Sequence, residues 1–268
     1  MSDPWILTLD TATKLDGRHR GAVVVCGSHG GVYPGYLAAR AGLRAVLLND
    51  AGGGLDQAGI GCLAYCQALG MAAATVAHDS ARIGDGEDMR RRGRISHVNL
   101  VAAGVGCAPG QKVEVALEAL ARAPAWQGDP PVYREGRQVV REAPGGPRVI
   151  CVDSASMVEP ADAGQIVITG SHGAMLASMP KLVLQVDALA ALFNDAGIGI
   201  DDAGITRLPA LDRRGIGAAT VDAMTARIGD GLSTYRDGVL SRVNEAARRR
   251  GARPGMRAED FVAALLDT

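Results

Sequence analysis

Gly27-Ser28-His29-Gly30 returns as Gly170-Ser171-His172-Gly173, 143 positions later. Asp10-Thr11-Ala12 returns at the same offset as Asp153-Ser154-Ala155. Two residues are then inserted in the second copy, and the offset becomes 145. At that offset Asn49-Asp50-Ala51-Gly52 matches Asn194-Asp195-Ala196-Gly197, and Ala81-Arg82-Ile83-Gly84-Asp85-Gly86 matches Ala226-Arg227-Ile228-Gly229-Asp230-Gly231. Ser96, Val98 and Asn99 match Ser241, Val243 and Asn244, and Pro109-Gly110 matches Pro254-Gly255. Between 49–110 and 194–255, 30 of 62 aligned positions are identical, which chance does not produce. The chain is an internal duplication, and its fold follows from reading one copy twice.

The first unit covers residues 1–122 and the second 148–268, with a Pro- and Gly-rich connector over 123–147. Short apolar runs at 6–9 and 149–152, and β-branched runs at 22–26 and 166–169, read as buried strands; 45–48 and 72–76 continue the series. Between them, 34–41 reads as a helix, and 56–69 has helical spacing with Asp56 as its cap. Helices are expected at 95–103 and 113–121, and residues 132–140 alternate around Gly136 as a short hairpin would. Strands alternating with helices predict an α/β fold of two similar, mostly parallel units related by a pseudo-twofold axis.

This reading puts the repeated motifs after strands. In open α/β sheets ligands bind outside the carboxyl ends of the strands, so all the repeated polar residues are expected along one edge. A core rarely takes Ser, His, Asn, Asp and Arg unless they are paired. The Gly-Ser-His-Gly turn offers converging backbone N–H groups, a hydroxyl and an imidazole. The candidate catalytic residues are therefore Ser28, His29, Ser171 and His172, with Asp50 and Asp195 to orient the imidazoles. Adjacent residues on a turn seldom face each other, so activation of Ser28 would have to come from His172 of the other copy. Candidate substrate ligands are Gly30, Asn49, Arg82 and Asp85, with their counterparts Gly173, Asn194, Arg227 and Asp230. Arg is the natural partner of a carboxylate, and Asp85 is placed to hold the Arg82 guanidinium.

Hydrophobic residues make up 47% of the chain, charged residues 21%, and the formal net charge is −1. No basic excess points to nucleic acid and no apolar run is long enough for a membrane span. No signal-peptide pattern opens the chain, so a cytoplasmic protein is expected. The five cysteines form no CxxC pair, and Cys62 and Cys66 read as small core residues. Gly197 and Gly199 lack the third glycine of a dinucleotide loop, so no cofactor is expected. His29, His172, Asp50 and Asp195 would suit a divalent metal, but no metal-ligand spacing supports one.

The leading expectation is an enzyme, a hydrolase of an amide, cyclic amide or ester, acting on a small anionic metabolite that bears a carboxylate. An eliminating lyase or an isomerase would use the same acid and base groups, and a non-catalytic small-molecule-binding protein is the other class. One composite site or two equal ones fit the repeat equally well, as does a homo-oligomer of the two-unit chain.

Overall fold

The computed structural model describes residues 5–142, 145–179 and 183–267. The first unit holds one sheet in the order β1 (Ile6–Leu9), β2 (Val23–His29), β3 (Ala45–Asn49), β4 (Ala72–Val76) and β5 (Ile95–Val98). Strands β1 to β4 run parallel and β5 pairs antiparallel with β4. The second sheet contains β6 (Arg137–Arg141), β7 (Val149–Val152), β8 (Ile166–His172), β9 (Ala190–Asn194), β10 (Gly217–Val221) and β11 (Leu240–Val243), with β7 to β10 parallel and both edges antiparallel. The expected α/β duplication is what the chain forms.

The central strands are apolar on both faces, so each sheet is a middle layer. Val24, Val46 and Leu48 meet α1 (Val32–Arg40) and α2 (Cys62–Ala68) through Leu37, Cys62 and Cys66. Val23, Val25 and Leu47 face α3 (Gly86–Arg92), α4 (Leu100–Gly104) and α5 (Val113–Leu120) through Met89, Ala102 and Leu117. In the second unit Phe193 and Val167 pack on Leu208 and Leu211 of α6 (Arg207–Asp212). The opposite face packs on α7 (Gly231–Arg236), α8 (Glu245–Arg249) and α9 (Ala258–Leu266), with Phe261 at its centre. Among the described residues the second copy shows no counterpart of α1: residues 174–179 and 183–189 are irregular. None of the described helices is long and apolar enough to cross a membrane.

Four local expectations are corrected. Residues 95–103 are not one helix; Ile95–Val98 is a strand, held by the Thr75–Ser96 hydroxyl pair at 2.9 Å, and only Leu100–Gly104 is helical. Asp56 does not cap a helix over 56–69, because Asp56 and Gln57 adopt φ of 53° and 58° and the helix begins at Cys62. The hairpin over 132–140 reduces to β6, whose partner is β7 rather than its own chain neighbour. Ser28 and His29 lie on the last residues of β2 rather than in a loop.

Asn99 and Asn244 explain one repeated pair. The Asn244 side chain accepts from the Ala218 and Ala247 N–H groups at 2.9 and 2.8 Å and donates to the Ile216 carbonyl at 2.8 Å. It thereby caps α8 and ties it to β10 while 7% exposed. Replacing Asn244 by Ala strands buried backbone donors and removes a cap, and is expected to cost about 2–4 kcal/mol in urea unfolding. A loss under about 0.5 kcal/mol would remove Asn244 from this role.

Candidate functional site

The strand-end residues sort into those that build the edge and those that open onto a cleft. Asn49 accepts from the Ala51 N–H at 2.9 Å and donates to the Ala81 carbonyl at 3.3 Å; Asn194 repeats this with Ala196 and Ala226 at 2.9 and 3.0 Å. Both are fully buried. One Asp50 carboxylate oxygen takes the Gly52 N–H at 3.0 Å, the His78 N–H at 2.9 Å and the His78 Nδ1–H at 2.9 Å. Desolvation works against the Asp50 charge, yet the His78 and Gly52 bonds outweigh it and hold the carboxyl below its ordinary value. The Asp50 bond in turn raises His78 above its own. In the second copy Asp195 takes the Gly197 and Ala223 N–H groups at 2.9 and 3.0 Å, and burial raises its pKa. Neither carboxylate is bonded to His29 or His172, so the orienting role expected for Asp50 and Asp195 falls instead on loop closure.

The two Asp loops meet at the pseudo-twofold axis, where a Cβ on Gly52 would stand 3.2 Å from the Gly197 Cα. Around that contact Ala51, Ile83, Ala174, Ala196, Ala203 and Ile228 form an apolar cluster shared by both units. The Arg loops cross it reciprocally: Arg82 Nε bonds Asp201 at 3.0 Å, and Arg227 Nε bonds Asp56 at 2.7 Å. Asp85 does not hold Arg82, as the spacing suggested; Asp85 and Asp230 cap α3 and α7, accepting from the Asp88 and Ser233 N–H groups at 2.8 Å. Gly30 and Gly173 are glycines because a Cβ on either would lie 2.5 Å from the carbonyl oxygen of Gly59 or Gly204.

The remaining expected residues gather at a cleft of about 420 Å³ between the units. Ser28, His29, Ser171, His172, Arg227 and Asp230 all line it, together with Thr11 and Ser154. Each serine oxygen accepts a backbone N–H at 2.9 Å, Ser28 from Ala12 and Ser171 from Ala155, which leaves each hydroxyl proton to donate. Each histidine Nδ1 also accepts a backbone N–H, His29 from Gly31 at 3.1 Å and His172 from Ala174 at 3.3 Å. The ring proton therefore sits on Nε2 in both. Burial pushes His29 down to about 4. It pushes His172 well below its ordinary value, with the Arg207 and His29 charges adding to the effect. Two neutral Nε2–H donors are poor bases. Among the described residues no bond joins either serine to either histidine, so the geometry is that of a donor array rather than of a serine activated by histidine.

Two cleft residues had no signal in the repeat. Arg207 is 7% exposed; its Nε and Nη1 donate to the Ala174 and Val183 carbonyls at 2.8 and 2.9 Å, and its guanidinium lies over the Phe193 ring at 5.2 Å. Among the described residues no carboxylate pairs with it, and burial lowers its pKa only to about 10, so it stays charged. Its counterpart in the first copy is Cys62, which is why self-comparison passes over it. Glu135, from the connector, lines the cleft beside Tyr133. Burial raises it to about 7 against the pull of the Tyr33 hydroxyl, and the nearby Asp153 charge raises it further. The cleft thus holds charges of both signs: the Arg207 charge disfavours protonation of His172, and the Asp153 charge disfavours ionisation of Glu135.

The two halves of the site are not equivalent. The counterpart of the open wall, around Asp10 and Gly84, is filled by the second unit's own chain: the Ala177 N–H donates to the Gly84 carbonyl at 3.0 Å and the Ser178 N–H to the Asp10 carboxylate at 2.6 Å. The irregular segment at 174–179 supplies this plug. Among the described residues no group of three or more His, Cys, Asp or Glu side chains is placed to hold a metal ion. Comparison with protein-family models, with curated proteins and with solved structures finds no match.

The histidine state is open to direct measurement. ¹⁵N NMR at pH 5.5 is expected to show His29 as a neutral Nε2–H ring; an imidazolium signal would overturn the assignment. A pKa of about 4 in the folded chain, below the ordinary 6.5, means the unfolded chain binds more protons between these values. The stability from a neutral His29 is therefore full above pH 6.5 and is lost as the pH falls towards 4. His29→Gln is expected to flatten the dependence of Tm on pH across that window.

Proposed function

We propose that this chain is an acid–base enzyme that binds a small carboxylate-bearing metabolite in the cleft and hydrolyses an amide or cyclic amide in it. The observation that carries the reading is Arg207, a buried guanidinium on the wall of the cleft with no carboxylate partner among the described residues. A buried charge without a counter-ion is costly to the fold. A site that binds an anion justifies that cost, because the ligand supplies the missing charge and bonds the planar fork. Arg227 contributes less, since Asp56 already neutralises it at 2.7 Å.

The other groups divide by chemistry. The His29 and His172 Nε2–H groups and the Ser28 and Ser171 hydroxyls are donors suited to an oxygen that gains negative charge. Glu135, near 7, is the cleft group whose proton moves at neutral pH. In the proposed step Glu135 takes a proton from water as the water oxygen bonds the amide carbon. The donors hold the resulting oxyanion. The C–N bond then breaks, and Glu135 returns the proton to the departing nitrogen. Ser28 and Ser171 act here as donors, not as nucleophiles.

Thermal-shift titration with small mono- and dicarboxylates tests the binding half. At a hundred times its dissociation constant, a ligand adds about 2.7 kcal/mol, a rise of several degrees in Tm. That rise is expected in the wild type and lost in Arg207→Gln. If no carboxylate shifts the wild type, or Arg207→Gln responds equally, the reading fails. For the chemical half, turnover of amide and cyclic amide carboxylates is followed by mass spectrometry for the gain of water. Activity is expected to follow an ionisation near pH 7, and Glu135→Gln to lower kcat by about a hundredfold or more. Products formed by elimination rather than by gain of water would move the same groups to a lyase. Glu135→Gln also has a stability signature. A folded pKa of about 7, above the ordinary 4.5, means the ionised form is disfavoured by folding. The variant is therefore expected to gain Tm over wild type as the pH rises through 7 and to match it below about 4.5.

A further inference from the structure

The plug that fills the closed half of the site describes what the open half accepts. Gly84 and Gly229 share a φ of 84°, and each N–H donates to the equivalent glycine carbonyl, Gly27 at 2.8 Å and Gly170 at 2.7 Å. Asp10 and Asp153 each take the N–H that follows, from Gly86 at 2.9 Å and from Gly231 at 3.1 Å. The two frames are thus the same backbone construction, made twice. In the closed frame both outward acceptors are used: the Gly84 carbonyl by the Ala177 N–H and the second Asp10 oxygen by the Ser178 N–H. In the open frame the second Asp153 oxygen takes the Gly136 N–H of the connector at 2.5 Å. Among the described residues nothing donates to the Gly229 carbonyl, although Gly229 lines the cleft.

We infer that the ligand of the open cleft carries an N–H that donates to the Gly229 carbonyl, in the place where the Ala177 amide meets Gly84. This rests on the proposed function and names its substrate class. The donor beside that acceptor narrows the class further. A Cβ on Gly229 would lie 3.1 Å from the His29 Cε1 and 3.7 Å from Nε2, so an acceptor carbonyl and a neutral Nε2–H share one wall. An amide with its N–H and C=O on the same edge satisfies both at once. Lactams and cyclic imides have that edge fixed by the ring, whereas an extended secondary amide points the two groups in opposite directions. The ligand is then a cyclic amide with a free ring N–H and a carboxylate for Arg207. The carbonyl that His29 polarises is the one that water attacks.

The test changes chiefly the ligand, with Arg207→Gln as the one variant, used to report on anion binding. Dissociation constants are measured by calorimetry on the wild-type chain for five- and six-membered lactam and imide carboxylates. Each is compared with its N-methyl derivative, and each lactam also with the matching lactone, which keeps the carbonyl and carboxylate but has no N–H. The N–H compounds are expected to bind about tenfold tighter than both partners, the value of one hydrogen bond with its acceptor otherwise stranded. Arg207→Gln is expected to weaken all of them. If N–H, N-methyl and oxygen compounds bind alike, and Arg207→Gln still weakens them, this inference is overturned while the anion-binding reading stands. Binding of acyclic carboxylates with none by the cyclic amides overturns it in the same way. If no carboxylate binds at all, the proposed function fails and takes this inference with it.

Discussion

The contact of Gly52 with Gly197 is the point about which the molecule is organised. Each glycine stands at the tip of an Asn-Asp-Ala-Gly loop whose polar side chains are spent on the loop itself: Asn49 and Asn194 on neighbouring backbone, Asp50 and Asp195 on N–H groups. Loops closed in this way present backbone and small apolar side chains outwards, and two of them press together so closely that a Cβ on Gly52 or Gly197 would stand 3.2 or 3.1 Å from the other's Cα. Close packing at the axis then brings Arg82 within reach of Asp201 and Arg227 within reach of Asp56. Reciprocal contacts of this kind are what a twofold arrangement requires. Exposed pairs such as these are individually worth about 0–1 kcal/mol. The buried alanine and isoleucine cluster and the backbone fit carry more of the association than the charges do.

Duplication supplied two copies of one frame, and divergence used them differently. Among the described residues the second copy shows no counterpart of α1, and its irregular segment closes one frame with its own amides. The first copy carries α1 at that position, and the second copy's frame, at Asp153 and Gly229, opens onto the cleft that Glu135 and Tyr133 of the connector also line. The asymmetry extends to the loops: His78 braces Asp50, while Ala223 stands at the matching position beside Asp195. A composite cleft lined by Arg207 and Glu135 goes with this asymmetry, because a strictly symmetric pair of frames would present matching groups from both copies.

Several residues expected at the site spend their side chains on the fold, and for one reason. A buried polar group that serves a backbone turn and one that serves a ligand look alike in sequence, since both are short polar side chains beside glycines. Asn49, Asp50, Asp85 and their counterparts are of the first kind, satisfied within the loop they close or the helix they cap. Ser28, His29, Ser171 and His172 line the cleft, but with their acceptor atoms already engaged by backbone N–H groups, which makes them donors. Arg207 and Glu135 escaped the reading because the comparison of the chain with itself sees only what occurs twice.

From the sequence alone came the duplication, the α/β class and the collection of polar motifs at strand ends. Those features follow from apolar periodicity and from matching residues, which are local properties of the chain. The tertiary structure decided which of two equivalent frames is open, which carboxylates are consumed by N–H groups, and that an arginine opposite a cysteine in the repeat lies buried on the cleft wall with no carboxylate partner among the described residues. These depend on the distance between atoms far apart in the chain. That distance is set by how closely the two loops pack at the axis and by where an irregular segment comes to rest, and no residue pattern encodes either one locally.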